Sequence, residues 1–181
     1  MFMKKNVVLR LTFSGLFLAL ALVLPFLTGQ IPQIGKMLCP MHLPVILCGF
    51  ICGPAWGAAI GLVSPPLRFL LFSMPTLMPT GAAMAFELAV YGLVSGILFK
   101  SFPKKNAFIY LELLLAMIAG RIIWGLAMFT ITGIQGGAFT ISAFLAGAFM
   151  GCVPGIVLQI ILIPPIIMAL KKKSTLKYLE A

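Results

Sequence analysis

The chain has 181 residues, of which 62% are hydrophobic and 9% charged, and its mean hydropathy is +1.17. A soluble domain keeps about a quarter of its residues charged, so this chain cannot clothe a water-facing surface and reads as an integral membrane protein. Its net charge of +10 gathers at the ends of apolar runs, which points to the lipid bilayer and away from nucleic acid.

At about 20 apolar residues per crossing, the length accommodates five or six helices in a single domain over 1–181. Apolar runs, breakers and charges together predict six. The first covers about 9–27 and follows a basic start, MFMKKNVVLR. That start could pass for a signal peptide, but no small-x-small cleavage site follows the apolar core, so it reads as a retained helix. A loop with two prolines and Lys36, TGQIPQIGKMLCP, leads to a short second helix at about 41–53. The turn GPAWG opens the third, about 55–72. A proline-rich loop, SMPTLMPT, precedes the fourth at about 81–99. After Lys100, Lys104 and Lys105 comes the fifth, about 107–130. A glycine-rich loop, ITGIQGGAFT, separates it from the sixth, about 146–170, and a basic tail closes the chain. The expected fold class is therefore an all-α membrane protein with six transmembrane helices.

Six crossings put both termini on one side. Ten of the thirteen cations then fall on that side, which the positive-inside rule assigns to the cytoplasm. Lys36 lies in an outer loop, and Arg68 and Arg121 lie within helices.

No phosphate-binding GxxxxGK[ST] loop is present, so no ATP hydrolysis by that route is expected of this chain. Aspartate is absent and the acids are Glu87, Glu112 and Glu180. That composition argues against metal-dependent headgroup chemistry and against an enzyme generally. Cys39, Cys48, Cys52 and Cys152 form no metal-ligand spacing and read as small buried residues.

Depth arithmetic gathers the remaining polar residues. At 1.5 Å per residue, Glu87 and Arg121 each lie about 9 Å from the outer face of a 30 Å core. Arg68 lies near the outer end of the third helix, and His42 opens the second. An ionised side chain within a membrane helix costs about 2.5–3.5 kcal/mol on insertion scales, so Glu87 and Arg121 are expected to pair. The pair either locks two helices together or borders a ligand site. Arg68 and Lys36 then have no carboxylate in the outer half, which favours water or an anionic ligand beside them. Arg68 could instead snorkel, Lys36 could be solvated, and His42 could simply cap its helix. Tyr91 and Trp124, one turn beyond Glu87 and Arg121, read either as packing or as part of the site. Glu112 is expected near the inner interface beside Lys104 or Lys105.

Three stretches, PMHLPVILCGFICGP, SPPLRFLLFSMPTLMPTGAAMAFELAVYG and AMIAGRIIWG, together with the size and span count, resemble the substrate-binding S components of energy-coupling factor (ECF) vitamin transporters. The resemblance implies a multi-pass plasma-membrane protein that captures a vitamin from outside. It implies partners in one membrane coupling subunit and two ATPases, which use the ATP, with no cofactor in this chain. It also implies a docking motif of small residues on the first helix, filled here by Ser14, Gly15 and Ala19, with glycine where the family has alanine. The resemblance implies a pocket in the outer half of the membrane, which agrees with the candidate site gathered by depth: Lys36, His42, Arg68, Glu87, Tyr91, Arg121 and Trp124. Arg68 is expected to pair with an anionic group of the cargo, and pantothenate is the favoured cargo ahead of folate-, pyridoxine- or flavin-type molecules. The alternative is a structural membrane scaffold or a self-sufficient carrier.

Overall fold

The computed structural model describes residues 2–28, 35, 37–103, 105–148 and 150–172, with side chains from Val7 to Lys171 among them. Among the described residues the chain is all-helical. Helix α1 spans Phe2–Val23 and runs into a 3-10 turn at Leu24–Thr28. It is followed by α2 (His42–Cys52), α3 (Pro54–Phe72), α4 (Ala82–Ser101) and α5 (Asn106–Ile134). The last expected helix is two: α6 (Ile141–Ala148) and α7 (Val153–Lys172), with a 3-10 turn at Met150–Cys152 between them. Gly151 weakens the helix there, and Pro154 sits in the first turn of α7, where its missing N–H leaves no bond unmade.

Among the described residues, five segments are long and apolar enough to cross a membrane: Val7–Leu27, Pro54–Phe72, Leu77–Ser101, Asn106–Ile134 and Ile141–Lys171. The second expected span differs. Helix α2 has 11 residues, or roughly 16 Å of rise, against a core of about 30 Å. Nine of its residues are buried, on every face. Its hydrophobicity answers to protein rather than to lipid, as for a helix apolar all round.

Helix α4 is central, packing on α2, α3 and α5. Glycines set these contacts. A Cβ on Gly57 would lie 2.7 Å from the Gly49 Cα, and one on Gly96 would lie 2.7 Å from the Pro54 Cα. Gly61 likewise meets the Leu88 backbone. Small residues let backbones approach this closely within a membrane. Between α2 and α3 the chain reverses at Gly53, whose φ of 101° suits glycine, and Pro54 starts α3 at once.

The core unites Phe17 of α1, Val45, Ile46 and Phe50 of α2, Leu88, Tyr91 and Phe99 of α4, Ile109 and Leu113 of α5, and Ile163 and Ile167 of α7. The outward faces carry Leu70, Leu71, Ile118, Ile122, Leu126 and Phe129, all exposed. Such an apolar coat suits acyl chains, not water.

Candidate functional site

Three elements bring the charged residues together. Glu87 sits one and a half turns into α4, Arg121 in the middle of α5, and His42 is the first residue of α2. A single carboxylate oxygen, Glu87 Oε1, lies 2.9 Å from Arg121 Nη1 and 3.5 Å from His42 Nε2. All three side chains are buried, Glu87 and His42 at 2% exposure. The pair expected from depth alone is therefore present, and His42 joins it.

Tyr91, one turn along α4, is fully buried. Its ring stands edge-on to His42, centroids 5.2 Å apart and planes at 70°. The other side of that ring packs on Gly120, where a Cβ would lie 3.1 Å from ring carbons. Glycine beside Arg121 thus makes room for the tyrosine.

Two cysteines complete the cluster. Arg121 Nη2 reaches Cys39 Sγ at 3.8 Å, and the side chains of Cys39 and Cys152 are hydrogen-bonded to one another. Cys39 holds a φ of 47°, left-handed backbone that a non-glycine residue rarely adopts. Its N–H donates to the Gly35 carbonyl and its carbonyl accepts from the His42 N–H, both at 3.0 Å. Local strain of this kind gathers at functional sites.

Gln159 is a buried amide on α7. It is 1% exposed and lies one turn beyond Gly155, which packs against the backbone of Met37 and Leu38, just before Cys39. Among the described residues, His42 Nδ1, Tyr91 Oη, Arg121 Nε and Gln159 Oε1 are buried without a hydrogen-bond partner. Such atoms are rare in folded proteins, and each calls for a cause.

Arg68 and Trp124 have their partners elsewhere. Arg68 donates from Nη1 to the Leu22 carbonyl. Its guanidinium lies over Phe26 and Phe72, 5.4 Å and 5.3 Å from the ring centroids. It thus serves the carbonyl-rich end of α1, where a cation is favoured, and is compensated without a carboxylate. Trp124 turns to α6, stacking on Phe144 at 6.3 Å and meeting Phe139 edge-on at 6.0 Å. Lys36 lies outside the described residues.

On α1, Ser14 is buried and faces inward, its Oγ 3.6 Å from Cys48 Sγ. Gly15 and Ala19 are exposed, and a Cβ on Gly15 would meet nothing within 4 Å. At the far end of α5, Glu112 is buried, with Oε2 unpartnered and Lys171 as a neighbouring charge. It turns into the protein instead of toward the interface.

Sequence reasoning read Cys39 and Cys152 as small buried residues and gave Gln159, with Gln135, less weight than the charged residues. No spacing joins the two cysteines, because they come from opposite ends of the chain. Gln159 did carry a signal, as the one amide within the apolar stretch of α7.

A family model for the ECF transporter substrate-specific component matches residues 9–167. Comparison with curated proteins and with solved structures found no match.

Proposed function

The chain belongs to the family of ECF transporter substrate-specific components, and we propose from that premise that it captures a water-soluble micronutrient from outside, at the cluster around Glu87. As a family member it is a substrate-binding subunit in a membrane, not an enzyme, and its partners are the ECF transmembrane and ATPase subunits. In this reading one coupling subunit and two ATPases receive it, ATP is used there, and this chain carries no cofactor.

The observation that carries the site is the buried constellation of Glu87, Arg121 and His42, bordered by polar atoms with no partner among the described residues. Burying such atoms costs free energy unless something satisfies them, and a captured ligand does so. The Ile134 end of α5 then faces outward, and the basic ends of the chain face the cytoplasm, as the lysine distribution favours. Gly15 and Ala19 form the docking face on α1; both are exposed, and among the described residues a Cβ on Gly15 would meet nothing within 4 Å. Ser14, turned inward, supports that face from behind.

The cargo class is left open by the family. The preference for pantothenate rests on Arg68 and Lys36 as uncompensated cations; Arg68 has the Leu22 carbonyl and two aromatic rings as partners, and Lys36 lies outside the described residues. Nothing among the described residues singles out pantothenate.

Native mass spectrometry of the purified chain from cells grown in rich medium tests the function. A retained small molecule is the expected result, together with uptake that depends on the ATPase subunits. An empty chain that also binds no vitamin would leave a membrane scaffold, and uptake without ATPases would leave a self-sufficient carrier.

A further inference from the structure

The four cysteines fall into two pairs, and the pairs sit in different settings. Cys48 and Cys52 lie one turn apart on α2, their side chains hydrogen-bonded to one another, with Ser14 Oγ 3.6 Å from Cys48 Sγ. Residues four apart on a helix hold their Cβ atoms about 5–6 Å apart, whereas a disulfide needs about 3.5–4.5 Å. Both belong to α2, so closing that gap means distorting the helix.

Cys39 and Cys152 are hydrogen-bonded to one another as well, but neither belongs to a long helix. Cys39 lies in the turn before α2, and Cys152 ends the 3-10 turn between α6 and α7. Their segments meet independently of the sulfurs, since a Cβ on Gly155 would lie 2.8 Å from the carbonyl oxygens of Met37 and Leu38. Hydrogen bonds on either side put the two thiols in order. Arg121 Nη2 donates to Cys39 Sγ at 3.8 Å, and Cys152 Sγ donates to the Gly147 carbonyl at 3.5 Å. A thiol has one hydrogen to give, so Cys39 is the donor between the sulfurs and Cys152 the acceptor. The relay runs from a guanidinium through both sulfurs to a backbone oxygen, and it holds the sulfurs against one another.

We propose that Cys39 and Cys152 form a modification site, a dithiol that a peroxide converts into a reversible intrachain disulfide. One thiolate takes an oxygen from the peroxide and becomes a sulfenic acid, and the hydroxide that leaves collects the thiol proton as water. The second thiolate attacks that sulfur, the S–S bond forms, and the sulfenic oxygen departs as water with the second proton. Two thiols and one peroxide give one disulfide and two waters, the sulfurs losing the two electrons that the peroxide gains. Because the sulfurs are already in contact, the second step outruns further oxidation of the sulfenic acid. Cys39 is 5% exposed and Cys152 7%, which sets the oxidant as hydrogen peroxide rather than a bulky disulfide. The bridge fastens the turn that delivers His42 to the turn ahead of α7, whatever the Glu87 cluster holds.

The test treats the full chain in detergent with hydrogen peroxide, alkylates the remaining thiols, and reads the intact mass and the peptide map. The expected result is a loss of two hydrogens, a linked peptide pair containing Cys39 and Cys152, and alkylation at Cys48 and Cys52. Dithiothreitol should return all four thiols. The double variant Cys48→Ala/Cys52→Ala should form the same bridge, and Cys39→Ala and Cys152→Ala should each form none. The bridge closes a loop of well over half the chain, so the oxidised protein should melt about 5 °C or more above the reduced one.

Four alkylated thiols after peroxide, or a bridge between Cys48 and Cys52, would overturn the inference. Sulfinic or sulfonic acid at Cys39 or Cys152 without a bridge would do the same, since the sulfurs would then be out of each other's reach. An unchanged or lowered melting temperature on bridging would also overturn it, because the bond would form only by distorting this packing. The peptide map of the unsubstituted chain decides the matter even where a variant fails to fold, and none of these readouts depends on what the chain transports.

Discussion

Glu87 is the residue on which the other polar groups depend. One of its oxygens meets both Arg121 and His42 in a site with almost no exposure. Glu87→Ala leaves Arg121 buried without a counter-charge, which should cost about 3–5 kcal/mol. Unfolding of the detergent-solubilised protein measures this. Combining Glu87→Gln with Arg121→Met should recover most of the loss, because the two effects of a directly bonded pair are not additive. Full additivity would mean that the pair is not coupled. Arg68 sits in a different setting. Arg68→Ala removes a hydrogen bond to the half-buried Leu22 carbonyl and two ring contacts, so stability should fall by about 1–3 kcal/mol. The affinity of the folded fraction should hold. A well-folded Arg68→Ala protein that no longer binds its ligand would bring Arg68 back into the site.

Helices differ in what their small residues are for, and substitution separates the cases. On α3, Gly57 and Gly61 press against the backbones of α2 and α4, so Gly61→Leu should prevent stable folding, seen as loss of the monodisperse peak in gel filtration. On α1, Gly15 faces open space, so Gly15→Leu should keep both fold and ligand binding. It should abolish uptake in cells that contain the ATPase module. Loss of binding in Gly15→Leu would place that residue in internal packing instead. The two glycine patterns look alike as letters in the sequence, four apart on apolar helices. Only the position of the partner backbone tells them apart. Helix α2 was partly legible, since its apolar run is short. That it is buried on every side was not, because lipid-facing and core-facing residues have the same composition.

Across the whole molecule, the all-helical class, five of the six expected spans and the pairing of Glu87 with Arg121 could be read from the sequence. Both follow from one-dimensional quantities, the lengths of apolar runs and the depth of a residue along its helix. Partners that depend on rotation about a helix axis could not be read. Arg68 finds Phe26 and Phe72 on two helices, and Cys39 finds Cys152 across the fold, by geometry that no spacing records. Orientation is a property of the whole chain too. With seven of thirteen cations at the two ends of the chain and three more at the turn before α5, a fluorescent protein fused to the C-terminus should light up in the cytoplasm. A periplasmic or external readout from an alkaline phosphatase fusion at the same point would reverse the topology.

Helix α6 hangs on α5 chiefly through one indole. Trp124 is stacked on Phe144 and edge-on to Phe139, and Gly147 passes close against its ring. The chain has two tryptophans, and the other, Trp56, belongs to α3. Trp56→Phe therefore leaves a protein with a single emitter, one helical turn from Arg121. Its fluorescence colour and quenching report how tightly α6 is clasped while the neighbouring site fills and empties. The molecule thus carries its own optical gauge of capture, in a form that needs no label and can be followed in real time.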